Sequence, residues 1–115
     1  MVAFYFARFK SHLKSGEAPL NAGTAHFSDS TKDGNYAVDG LLVITNQRIF
    51  HCIDFGPLTM EVRKQDILKV VSSKHPIKGN KVLQLSYSEN GEITGSTFFC
   101  SKLFTREVVR MLKGY

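Results

Sequence analysis

The residues of this chain best suited to covalent chemistry are few: His51 beside Cys52, Cys100 in a later apolar run, and the scattered histidines His12, His26 and His75. A thiol and an imidazole on neighbouring strands would make a nucleophile and its base. Both cysteines, however, lie inside apolar strand-like segments, where a thiol packs as a small hydrophobe. No nucleophile elbow, phosphate loop or HExxH motif accompanies them, and the glycines fall singly rather than as a phosphate cradle. The chain is therefore read as non-enzymatic. Its four histidines belong to different elements, so no metal site is expected, and no cofactor is required.

Binding chemistry is better represented. Lys69, Lys74, His75, Lys78 and Lys81 fall between Ile67 and Ser88, a stretch without a single carboxylate. Residues 72–81 read as an exposed loop whose donors suit a phosphate or an anionic bilayer, at about 1 kcal/mol per lysine. Solubilising lysines on a solvated hairpin are the plainer reading. A second candidate is the opening segment, where Val2, Phe6, Phe9 and Leu13 recur at helical spacing and Arg8, Lys10 and Lys14 lie off that stripe. Such a helix packs on its own domain, on a second copy, or into a membrane interface. Aromatic residues such as Phe27, Tyr36, Phe98 and Phe99 offer stacking surfaces, yet no basic strand face is interleaved with them, so nucleic acid is not an expected partner.

These residues need elements to position them. The 115 residues suit one domain spanning 1–115, with 43% apolar and 22% charged residues and no low-complexity tract. A net charge of +5 favours anionic partners only modestly. Two cysteines without a CxxC pattern fit a reducing compartment. The first residues lack a basic region ahead of a long apolar run, so a cytoplasmic location is expected, with the inner face of the membrane as its periphery.

Patterning places a helix over 1–15 ending at Ser15-Gly16, strands over 17–100 and a closing helix over 102–113. A weak first strand runs from Glu17 to Phe27, with Ala18, Leu20, Ala22 and Thr24 on one face, and a polar loop follows over 28–35. Two apolar runs over 36–54 flank Thr45-Asn46-Gln47-Arg48, the composition of a hairpin. Further strands are expected at 58–63, 67–73, 81–87 and 93–100, the last two joined by Asn90-Gly91, whose residues tolerate positive φ. Phe104, Val108, Met111, Leu112 and Tyr115 share one face of the closing helix, and Ser101 suits its N-cap.

Gly40-Leu41-Leu42-Val43-Ile44-Thr45-Asn46-Gln47-Arg48-Ile49 resembles the Gly-x-Leu-x-Leu-Thr-x-x-Arg-Leu signature of GRAM and bacterial pleckstrin-homology-like (PH-like) domains. Glu17 after a helical lead-in and the Asp66-Ile67 pair extend the likeness. It implies a mainly β fold: a bent barrel of about seven antiparallel strands, a capping C-terminal helix and a short N-terminal helix. Gly40, Thr45, Arg48, Asp66 and Ile67 would then be structural, with the Thr45 hydroxyl on the turn backbone and the Arg48 guanidinium on a neighbouring carboxylate or carbonyl. The resemblance implies a module that binds a protein or peptide along an open sheet edge, or associates with itself. Weak attachment to anionic lipid through the lysine loop is the alternative. Between Glu17 and Tyr36 the only lysine or arginine is Lys32, so phosphoinositide specificity is not carried over.

Overall fold

The computed structural model describes residues 2–29, 36–76 and 79–112, so the polar loop over 30–35 and the Ile77-Lys78 pair lie outside it. Helix α1 (Val2–Phe9) and a 3-10 turn (Lys10–His12) lead into β1 (Pro19–Asp29), β2 (Tyr36–Thr45), β3 (Arg48–Cys52) and β4 (Leu58–Arg63). A second 3-10 turn (Lys64–Asp66) leads to β5 (Ile67–Lys74), β6 (Asn80–Glu89), β7 (Glu92–Ser101) and helix α2 (Lys102–Leu112). All seven strands form one antiparallel sheet in the order β4-β3-β2-β1-β7-β6-β5.

The sheet is strongly curved, because residues from both of its edge strands meet in one core. Val62 of β4 and Ile67 of β5 share a cluster with Phe27, Leu42, Ile44, Leu83, Leu85 and Phe98. Phe104, Val108 and Leu112 of α2 close that core. A flat sheet would keep its first and last strands far apart. Strand alternation sends these residues inward, and turn chemistry holds the register: Asn90 and Gly91 take φ of 52° and 80°, as an Asn-Gly hairpin requires. Ser101 Oγ accepts a hydrogen bond from the Phe104 N–H at 3.2 Å, capping α2.

A second core lies outside the sheet. Ala22, Leu41, Val43, Phe50 and Cys52 present the opposite strand face to Phe9, with Val2, Tyr5 and Leu13 packed around it. Both faces of the central hairpin are thus covered, which is why residues 41–44 and 49–52 are, but for His51, apolar without alternation.

Three local expectations are corrected. The N-terminal helix ends at Phe9 rather than near Ser15, because the following chain unwinds to carry its His12 carbonyl to Arg48. Its inner face uses Tyr5 in place of Phe6, which is 39% exposed. In β1, Leu20 and Thr24 point to solvent, and Ala25 and Phe27 fill the core after an irregularity between Pro19 and Asn21.

Candidate functional site

Arg48 sits at the foot of the central hairpin, almost wholly buried. Its Nε donates to Glu17 Oε2 at 2.8 Å and its Nη2 to Glu17 Oε1 at 3.0 Å, a two-pronged pair across 31 residues of sequence. The same guanidinium reaches the Glu61 carboxylate and the His12 carbonyl, and stacks 4.6 Å over the Phe50 ring. Thr45 Oγ1 donates to Glu17 Oε2 at 2.7 Å and accepts from the Gln47 and Arg48 N–H groups at 3.1 and 3.0 Å. Burial opposes the Glu17 charge, but hydrogen bonds from Arg48, the Lys14 N–H and Thr45 outweigh it and bring the pKa down to about 2. Glu17 and Arg48 thus satisfy one another inside the protein, and the cluster ties the segment that follows α1, through His12, Lys14 and Glu17, to the sheet.

The other signature residues are dispersed. Gly40 lies where a Cβ would run into the Cys52 carbonyl and the His51 ring, so the close β2–β3 approach requires glycine. Asp66 accepts from Arg63 Nε at 3.1 Å, and Ile67 enters the core.

The thiols and His51 do not assemble. Cys52 belongs to the outer core and Cys100 to the inner one, each with burial pushing its pKa up to about 11. His51 points inward between Phe27 and Phe98, and its Nε2 donates to the Ala25 carbonyl at 2.8 Å. Burial lowers its pKa, so it is a neutral core residue. Among the described residues no cluster of His, Cys, Asp or Glu is arranged to hold a metal ion.

The lysines are spread along a hairpin rather than gathered in a loop. Residues 72–74 continue β5, and Lys74 stands opposite Lys81 on β6, with Lys69 opposite Ser86. His75 follows β5 directly and meets Phe99 edge-on at 5.0 Å, while Lys78 lies outside the described residues. The expected ten-residue basic loop is therefore not formed: ladder pairing with β6 overrides the weak strand preference of Ser72-Ser73-Lys74.

Two features stand out that spacing alone did not mark. One is a groove of about 740 Å³ on the outer sheet face, beside α1, lined by Arg8, His26, Asp39, Asp54, His75 and Phe99 among others. Polar side chains pair with one another along it, His26 Nδ1 with Asp39 Oδ1 at 2.8 Å and Arg8 Nε with Asp54 at 3.6 Å. The other is the edge of the sheet. Among the described residues β5 pairs only with β6, and Leu68 and Val71 stand 51% and 36% exposed along it.

Solved structures superpose on this sheet and its closing helix over most of the chain. The hSac2 domain from the human phosphoinositide phosphatase Sac2 superposes with a TM-score of 0.64 at 15% identity, covering 91% of this chain and 74% of that one. The Vps36 N-terminal PH domain superposes with a TM-score of 0.62 at 18% identity, covering 88% and 83%.

The fold is PH-like.

No family model matches this chain, and neither does any curated protein sequence. In this PH-like sheet the α1 stripe is mostly consumed by packing: Phe9 is fully buried, and Val2 and Leu13 are partly so. No helix among the described residues is long and apolar enough to cross a membrane.

Proposed function

We propose that this chain is a non-catalytic binding module of GRAM-like or bacterial PH-like type, working in the cytoplasm. Its ligand is an extended segment of a protein, added as a further strand to the β5 edge. The observation that carries this reading is the β5 edge itself: a strand of eight residues, paired on one side, with only Ile67 fully buried. An added strand satisfies backbone groups that water otherwise solvates, and exposed apolar side chains give it register. Leu68 and Val71 supply those contacts, and Lys69 and Lys74 on the same strand favour acidic flanking residues in the ligand.

Peptides selected from a random library on the immobilised protein provide the test. Those that bind should slow exchange of β5 amides that exchange fast in the free protein, and Val71→Glu should abolish their binding without loss of folding. Protection elsewhere, with β5 unchanged, would overturn the assignment.

A further inference from the structure

The groove on the outer sheet face is lined by an unbroken row of side chains that crosses three strands. Asp39 Oδ1 lies 2.8 Å from His26 Nδ1, the His26 ring lies 5.8 Å from the Phe99 ring, and Phe99 meets His75 edge-on at 5.0 Å. The register produces the row: Asp39 of β2 stands opposite His26 of β1, which stands opposite Phe99 of β7. Asp39 and Phe99 are thus two strand spacings apart, about 10 Å. A carboxylate therefore stands at one end of the row with three rings behind it.

The charges of the groove are unequally matched. Arg8 lies 3.6 Å from Asp54, and its guanidinium is 5.6 Å over each of the Phe4 and Tyr5 rings. Asp39, by contrast, has His26 as its only hydrogen-bond partner among the described residues, and its side chain is 92% exposed. The imidazole orients this carboxylate and leaves it further acceptor sites on the open side of the groove. No lysine lines the groove, although the chain as a whole carries a net charge of +5.

We propose that the groove is a guanidinium subsite, taking one arginine side chain of a protein partner with its head on Asp39 and its stem along His26 and Phe99. A space of about 740 Å³, open to solvent, admits such a side chain while its backbone stays outside. Arginine fits better than lysine. Its planar head bonds a carboxylate through two N–H groups, lies flat against neighbouring rings and gives up its hydration more readily than an ammonium. The subsite shares no residue with the β5 edge, and the two assignments stand or fall separately.

The probe is a short peptide of glycine and serine around one central arginine, with lysine and citrulline counterparts, titrated at low salt into the intact protein and followed by NMR. The arginine peptide should move the His26, Asp39 and Phe99 signals. The lysine peptide should bind about threefold more weakly, and the citrulline peptide, which keeps the shape and loses the charge, about tenfold more weakly. Asp39→Asn should weaken the arginine peptide about tenfold and Phe99→Leu about threefold, each with a thermal midpoint close to that of the wild type. An arginine peptide that leaves the groove signals unmoved, or that binds Asp39→Asn as it binds the wild type, overturns the proposal. Equal binding of the three peptides overturns it too, since the groove would then not read the guanidinium, and so do shifts confined to β5.

Discussion

Arg48 is the residue on which the long-range polar geometry of the molecule converges, and Glu17 is its main partner. Replacing Arg48 with Met strands a buried carboxylate, so urea unfolding should show a loss of about 3–5 kcal/mol. The companion Glu17→Gln/Arg48→Met, which removes both charges, should lose clearly less. Because the folded state holds Glu17 at about 2, below its ordinary value of 4.5, its contribution is complete above that ordinary value and fades as pH falls through the folded one. Stability measured from neutral pH downward should therefore decline over that window, and Glu17→Gln should flatten the decline. Thr45 was legible as turn chemistry because its bonds to the Gln47 and Arg48 N–H groups are local, whereas the Arg48 side chain reaches Glu17 and His12 far back in the chain. Glu61 was not legible as an Arg48 partner, since only the β3–β4 register brings it there. Phe55 was equally silent, because a positive φ on a non-glycine residue leaves no mark in composition.

At the scale of elements, α2 docks where β1 lacks a side chain. A Cβ on Gly23 would stand 2.8 Å from the Phe104 ring, so Gly23→Ala should push the helix outward and cost about 1–3 kcal/mol. Faster amide exchange across α2 would report the displacement, and Phe104→Leu in the same chain should restore part of the loss. On the β5–β6 hairpin, Lys74 and Lys81 are cross-strand neighbours of like charge. Lys81→Glu should accordingly stabilise the fold by about 0.2–1 kcal/mol in thermal or urea unfolding. Elements whose signals are periodic or turn-specific were readable in advance: the Asn90-Gly91 hairpin, the central hairpin and α2 all fall close to their expected bounds. The readings that failed depend on tertiary partners. Which side of α1 faces inward was decided by the sheet beneath it, selecting Tyr5 over Phe6, and pairing with β6 carried β5 through Lys74, one residue past its expected end and into the loop expected over 72–81.

For the whole molecule, one inference follows from how the sheet distributes its surfaces. The β5 edge lies at one end of the strand order, and the β3–β4 turn that carries Phe55 lies at the other, joined to α1. The curved core between them was foreseeable, since a run of alternating strands and one amphipathic helix has few ways to bury both, but which surfaces stay bare was not. Because β5 gives only Ile67 to the fully buried core, a charge on its exposed side should leave the other elements undisturbed. Val71→Glu should therefore lose selected peptides while the urea midpoint, and amide exchange across α2 and the central hairpin, stay as in the wild type. A midpoint that falls together with peptide binding would show instead that the edge strand is part of the core's packing.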